Sequence, residues 1–161
     1  MIQVVMGVDP GSRHTGFGVI RGNGNRLDHL AHGQIAPKGR APLELRLRQI
    51  YDALTALLQE HQPQSLALED MCLAMNVQTA FILGQVRGVV LLAAAQAGVP
   101  IHVYPPLTVK KAVVGYGQAT KAQVKMMVEN LLGLTVAGHH AADALAVGVC
   151  HYFHSRRGPA L

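Results

Sequence analysis

Residues 2–21, IQVVMGVDPGSRHTGFGVIR, decide the fold of this chain of 161 residues. The stretch from Ile2 to Val8 is rich in β-branched residues and predicts a strand, and the Asp-Pro-Gly-Ser that follows predicts a tight turn. Thr15 to Arg21 predicts a second strand. Gly-Asn-Gly-Asn at 22–25 predicts a hairpin turn, because Asn-Gly adopts the positive φ angles that such turns need. A third strand, Leu27 to Ile35, completes an antiparallel meander.

The rest of the chain alternates helical and extended patterns. Apolar residues recur at helical spacing between Pro42 and Pro63, and SLALE at 65–69 predicts a short buried strand. Asn76 is a favourable N-cap for a helix that runs to about Ala97. The remaining predicted elements are a strand at 101–104 and helices at 108–114, 121–132 and 140–155.

This order of elements predicts an α/β fold. Its sheet is mixed and five-stranded, an antiparallel meander plus parallel strands, with helices on both faces. The helix before Ser65 lets its strand lie parallel to the first one, so the ends that carry Asp9 and Glu69 are expected side by side. Residues 1–155 are expected to form a single domain, and 156–161 a short flexible tail.

The composition limits the classes of function. Half of the residues are hydrophobic and 14% are charged, which excludes wholesale disorder. Lys and Arg number 14 against 9 Asp and Glu, so a net charge of +5 suits a polyanionic partner. Two cysteines form no disulfide framework. The apolar stretch 88–101 contains Gln96, Gly98 and Pro100 and is too short for a membrane span. We expect a cytoplasmic protein without membrane contact.

Three acidic residues stand out among the nine. Asp9 and Glu69 each end a strand, and open α/β sheets build sites at the carboxyl ends of strands. Asp143 lies three positions after His140, so one helical face carries both. Taken singly, Asp9 is also consistent with a turn cap and Asp143 with a favourable charge at a helix start. Together the four side chains predict a site for Mg²⁺ or Mn²⁺, with two ions suited to phosphodiester hydrolysis.

Five blocks of the sequence resemble one known family. In chain order they are GVDPGSRHTGFGVI, LALED, LGQVRGVV, VVGYGQATKAQV and HHAADALAV. They are similar to the RuvC family of Holliday-junction resolvases, which has the RNase H-like fold. The resemblance implies a homodimeric, Mg²⁺-dependent endonuclease that nicks two like-polarity strands of a four-way DNA junction, and it implies the RuvA–RuvB branch-migration helicase as a partner.

The resemblance also implies roles for individual residues. Asp9, Glu69 and Asp143 match the family's catalytic acids and metal ligands, and His140 stands where many members carry a further Asp. Lys121 is assigned with the catalytic set. The residues assigned to DNA contact are Arg13, His14, Cys72, Asn76, Lys110, Lys111 and Lys121. Cys72 occupies a position where an aromatic residue is expected to stack on an unpaired junction base.

The helix from Val77 to Ala97 is apolar on nearly all sides, which predicts that it is buried all round, partly against a second copy of the chain. Cys150 is expected in the core, whereas His151 and His154 are expected at the surface.

Three other functions stay open at this point. A YqgF-type RNA-processing nuclease shares the fold and the DxGxxxxG start, although the HHAADALA block favours the RuvC family. Sugar-kinase, actin and heat-shock ATPases also open with a strand and DxG, but they need two such domains around a nucleotide. The last is a junction-binding module without catalytic activity, against which the full acidic set argues.

Overall fold

The fold is an α/β sandwich built on one sheet, seen in a computed structural model that describes residues 1–71 and 76–156. The elements in chain order are β1 (Ile2–Asp9), β2 (Thr15–Asn23), β3 (Arg26–Ile35), α1 (Leu43–His61), β4 (Ser65–Glu69), α2 (Val77–Gln96), β5 (Ile101–Tyr104), α3 (Pro106–Val114), α4 (Lys121–Leu132) and α5 (His139–Ser155). This order matches the one predicted from the sequence. The tail beyond residue 156 lies outside the described residues, so the domain boundary stays a prediction.

The sheet has the order β3-β2-β1-β4-β5. β1 pairs antiparallel with β2, and β2 with β3, so the first three strands form the predicted meander. β4 runs parallel to β1 and β5 runs parallel to β4, which gives the predicted mixed sheet. One hydrophobic core lies between the sheet and α1 and α2, and a second lies between the sheet and α3, α4 and α5. Helices therefore cover both faces, as the sequence predicts.

Glycines in β1 and β2 form a seat for α5. A Cβ added at Gly7 would stand 1.9 Å from the carbonyl oxygen of Ala144, and one at Gly16 would stand 2.0 Å from that of His140. Gly18 and Gly22 likewise face Leu145 and Tyr152. These contacts recur at successive turns of α5, so the missing side chains let the whole helix approach the strands closely. The position of α5 is therefore encoded in the sequence of the first two strands.

Helices α2, α3 and α4 begin at residues that stabilise a helix N-terminus. The Asn76 side chain accepts a hydrogen bond from the backbone of Thr79, and Thr120 with Gln123 forms a complete capping box for α4. Pro106 occupies the first position of α3, which therefore starts two residues before the predicted bound. Lys121 lies within this capping box, directly after Thr120, so its side chain starts from a fixed backbone.

One side of α2 is buried in the single chain and the other is exposed, so its predicted burial partly against a second copy stays a prediction. Val86, Val90, Ala93 and Ala94 pack into the core, but Val77 is 72% exposed, Phe81 70% and Leu92 52%. The reason is that α2 lies on the outside of a single chain and turns only one side toward the sheet. By length and composition α2 alone among the described helices could also cross a membrane, a test that core helices of soluble proteins pass as well.

His151 is a residue for which the sequence prediction is wrong. Its ring is 4% exposed, lies 2.7 Å from the Tyr104 hydroxyl at Nδ1, and stacks on His102 with centroids 4.3 Å apart. The side chains of β5 cover this turn of α5, which periodicity within α5 cannot reveal. Cys150 is fully buried, so its predicted core position is confirmed.

Candidate active site

The site begins where β1 and β4 end. These parallel strands are in register from Val5 with Ser65 to Val8 with Leu68, and the next residues are Asp9 and Glu69. The predicted juxtaposition of the two strand ends is confirmed. The turn after Asp9 is closed by Thr15, whose hydroxyl donates to the Gly11 carbonyl at 2.7 Å. Asp9 therefore sits at the edge of a rigid turn rather than on a loose loop.

The first turns of α5 bring the other two candidate ligands. The Nδ1 atom of His140 lies 2.9 Å from Oδ2 of Asp9, and Gly16, the strand partner of Asp9, leaves the space for this approach. Asp143 is held from the other side, because Nζ of Lys121 lies 3.3 Å from its Oδ2. The structure therefore brings Asp9, Glu69, His140, Asp143 and Lys121 into one group.

The carboxylates repel one another in a site with little water. Burial raises the pKa of Glu69 to about 7, with further increases from the charges of Asp143 and Asp9. Burial also raises the pKa of Asp9, although its hydrogen bond with His140 opposes the change. The charge of Asp143 raises the pKa of Lys121. The site therefore concentrates negative charge that Lys121 and Lys110 offset only partly.

Two cavities flank Glu69. The smaller, of about 40 Å³, is lined by Glu69, Asp143, Lys110 and Lys121. The larger, of about 170 Å³, also reaches Asp9, and its walls include Leu83 and Met71. Solvent-sized groups can therefore approach Glu69 from both sides.

The donor set fits a hard divalent cation. Carboxylate oxygens are the ligands that Mg²⁺ prefers. The three carboxylates lie close enough to repel one another, and a cation among them would offset that repulsion. In residues 1–71 and 76–156, no three His, Cys, Asp or Glu side chains already stand at coordinating distance. Instead, His140 contacts Oδ2 of Asp9, and Lys121 contacts Oδ2 of Asp143. These are oxygens that a bound metal would use.

The residues predicted to contact DNA do not all lie at the carboxylates. His14 stacks on His140 with centroids 5.6 Å apart, and Arg13 is exposed beside it. Lys110 faces the carboxylates, whereas its neighbour Lys111 lines a separate groove on the far side of α3 with His154 and Arg156.

Asn76 and Cys72 are the other residues predicted to contact DNA. Asn76 is exposed, and its side chain caps α2. Cys72 lies outside the described residues, and so does its proposed stacking role.

Sequence reasoning missed three arginines near the site. Arg87 forms an ion pair with Asp70 at 3.2 Å, and both line the larger cavity beside Glu69. A single arginine in the apolar LGQVRGVV block is the signal that could have indicated it. Arg40 and Arg46 line a cavity together with Arg13 and His14. No sequence pattern connects the two pairs, because the fold brings together the turn after β1, the loop before α1 and the start of α1.

Comparison with known proteins gives a consistent result. The sequence model described as crossover junction endodeoxyribonuclease RuvC matches residues 5–151. A protein of that name from Geobacter sulfurreducens is 47% identical over 148 residues, which cover 91% of this chain and 90% of the relative. Another from Azorhizobium caulinodans is 48% identical over 161 residues and covers 99% and 94%.

Solved structures agree with the sequences. Thermus thermophilus RuvC in complex with Holliday junction substrate superposes with a TM-score of 0.92 at 34% identity, covering 97% of this chain and 96% of that one. A second structure of Thermus thermophilus RuvC gives a TM-score of 0.89 at 35% identity, with 96% of each chain covered. The RNase H-like fold predicted from the sequence is confirmed. This chain belongs to the RuvC family of crossover junction endodeoxyribonucleases.

Proposed function

We propose that this protein resolves four-way DNA junctions by hydrolysing one phosphodiester bond in each of two like-polarity strands. The observation that carries the proposal is the convergence of Asp9, Glu69 and Asp143, with Lys121 between them and solvent, at one edge of the sheet. The printed description of the matching family and the junction bound to the Thermus thermophilus relative support the choice of substrate.

Asp9, Glu69, Asp143 and His140 would hold the metal. Two ions of Mg²⁺ or Mn²⁺ would supply a nucleophilic water at neutral pH and stabilise the charge on the attacking and leaving oxygens. The protein itself contributes a partly buried pocket of negative charge. Such a pocket favours binding of a divalent cation over the ion pair with Lys121 or the uptake of a proton.

The remaining residues of the site bind and orient. Lys121 and Lys110 reach the cavity of the carboxylates, where their ammonium groups would contact the oxygens of the scissile phosphate. His140 fixes the rotamer of Asp9 through its 2.9 Å contact, which keeps together two side chains that would both hold a metal ion. The larger cavity opens beside Asp9 and Glu69, so a water molecule or a phosphate oxygen could reach Glu69 from that side.

A homodimer would join two such sites, and the exposed side of α2 supports it. Val77, Phe81, Gly84, Gly88 and Leu91 recur at intervals of four and three residues, the spacing of a helix-packing stripe. A Cβ on either glycine would meet nothing within 4 Å, so a second helix can approach closely there. A two-fold axis beside α2 would place two sites symmetrically on a two-fold junction.

Two further parts of the sequence interpretation remain proposals. The RuvA–RuvB helicase as a partner rests on family membership alone. A cytoplasmic location rests on the composition, because the two cysteines form no disulfide framework. The YqgF-type alternative is not favoured, because the RuvC family model spans both acidic strand ends and the HHAADALA block.

The experiment is cleavage of three substrates by the purified dimer: a four-way junction, a linear duplex of the same sequence and a single-stranded RNA. With Mg²⁺ or Mn²⁺ we expect paired nicks in the junction only, and with EDTA no nicks. Cleavage of the RNA but not the junction would contradict the proposal and restore the YqgF-type alternative.

A further inference from the structure

A basic cavity of about 520 Å³ opens beside the carboxylates, between the turn after β1 and the loop that leads into α1. Its charged and polar walls are Arg13, His14, Arg40 and Arg46, and its other walls are small or apolar residues. No carboxylate of the described residues lines it. Three guanidinium groups thus face one space without a neutralising acid in its walls, which is a strong field for an anion.

Arg46 is partly buried, whereas Arg13 and Arg40 are exposed. Its Nη1 atom lies 3.5 Å from the Ser12 carbonyl oxygen, which ties the guanidinium to the turn after β1. Its Nε atom is buried and has no hydrogen-bond partner among the described residues. The guanidinium of Arg46 is therefore positioned but incompletely hydrogen-bonded, and an oxyanion in the cavity would bind it through planar, paired N–H donors.

Both walls of the cavity are held in place. The turn that carries Arg13 and His14 is closed by the hydrogen bond between Thr15 and Gly11. The loop that carries Arg40 is fastened to α1, because the backbone N–H of Lys38 donates to Oε1 of Gln49 at 2.9 Å. The arginines therefore start from a fixed backbone, which reduces the entropy lost on binding an anion.

We propose that Arg13, Arg40 and Arg46 form a phosphate clamp that holds a backbone phosphate of the cleaved strand close to the scissile phosphate. The inference rests on the proposed function. His14 links the two places, since it lines the cavity and its ring stacks on His140, which contacts Asp9. Successive phosphates follow at intervals of ~3.4 Å along the helix axis, and in this proposal one strand would pass both the clamp and the carboxylates.

The test is the salt dependence of junction binding, measured by fluorescence anisotropy in EDTA between about 50 and about 200 mM KCl. Arg40→Ala and Arg46→Ala are each expected to bind the junction about tenfold more weakly at the lowest salt. Each should also reduce the slope of log K against log salt by about 1, the change expected for one lost phosphate contact. Arg46→Lys is expected to keep the slope but lose part of the affinity, because Lys lacks the guanidinium fork.

Arg48→Ala is the matched control, because Arg48 is an exposed arginine of the same helix that pairs with Asp52 at 3.7 Å. It should bind like wild type. Circular dichroism would show which variants fold, and Arg40→Ala, in an exposed loop, carries the test if Arg46→Ala does not fold. Wild-type slopes in both alanine variants would overturn the clamp while the proposed function stands.

Two other results are informative. Inorganic phosphate that raises the melting temperature of wild type but not of Arg46→Ala, with unchanged slopes, would assign the cavity to a free anion and overturn the proposal. A wild-type protein that does not bind the junction would refute the proposed function, and the clamp with it.

Discussion

Gly16 lies directly under His140, so close that a Cβ on the glycine would stand 2.0 Å from the carbonyl oxygen of the histidine. Gly16 is also the strand partner of Asp9, and His140 contacts Asp9 at 2.9 Å. One missing side chain in β2 therefore sets the distance between the end of β1 and the start of α5. This explains why a glycine with an ordinary strand conformation belongs to the active-site architecture.

Gly16→Ala is therefore expected to displace the start of α5. A forced contact of this kind costs about 1–3 kcal/mol of stability, and a displacement of ~1 Å at a catalytic group can lower the rate about 100-fold. Single-turnover junction cleavage and urea unfolding measure the two effects. Gly33→Ala is the control, because its Cβ would meet only the Phe17 ring, at 3.1 Å. Equal cleavage rates in both variants would show that α5 tolerates the shift.

Phe81→Glu should convert the proposed dimer to a folded monomer. Phe81 is exposed in the single chain, so a charge there does not disturb the core, whereas it would be desolvated in an interface between two α2 helices. Sedimentation equilibrium at micromolar protein gives the mass. Leu45→Glu, an exposed apolar position on α1, should leave the dimer intact. A wild-type mass near that of one 17.2 kDa chain would refute the dimer.

Local sequence patterns predicted part of the fold and of the site, and contacts between distant elements set the rest. The sheet and the strand-end acids were predictable because hydrophobic periodicity and turn residues act locally. Which side of α2 packs on the sheet was not predictable, since a core helix and an interface helix have the same apolar composition. The burial of His151 and the arrangement of Arg40 and Arg46 depend on contacts between elements distant in sequence, which no local pattern records.

His151 should contribute a loss of stability in mild acid, and Glu69, whose pKa is raised in the folded chain to about 7, should contribute a gain over an overlapping pH range. Burial lowers the pKa of His151 from 6.5 to about 4, with smaller contributions from His102 and His154. Below pH 6.5 the unfolded chain therefore binds a proton that the folded chain excludes, and stability is lost between these two pKa values. The loss amounts to at most about 3 kcal/mol for this residue.

Urea unfolding of wild type and His151→Phe from neutral pH to about pH 4 tests this. The variant should be less stable at neutral pH, since it loses the hydrogen bond with Tyr104. The difference in the free energy of unfolding between wild type and variant should shift against wild type as the pH falls from 6.5 to about 4, because only wild type carries the His151 contribution. Parallel pH profiles for the two proteins would show that another group causes the acid sensitivity.

His140→Asp should change the preference for metal. Mg²⁺ favours oxygen ligands, whereas Mn²⁺ accepts imidazole nitrogen more readily. We expect wild type to cleave faster with Mn²⁺ than with Mg²⁺, and the variant to narrow that ratio. His139→Asp, at the exposed neighbouring position, is the control and should keep the wild-type ratio. An identical ratio in wild type and His140→Asp would exclude His140 as a metal ligand.

The carboxylates are expected to perform the chemistry, while basic residues hold the DNA. The most direct measurement compares cleavage and binding of one four-way junction by Asp9→Asn, Glu69→Gln and Asp143→Asn. Each variant is expected to lose cleavage by more than about 1,000-fold, a loss of roughly 4 kcal/mol in transition-state stabilisation. Its affinity for the junction in EDTA should stay within about threefold of wild type. Loss of junction binding in parallel with cleavage, in variants that remain folded, would contradict this expectation.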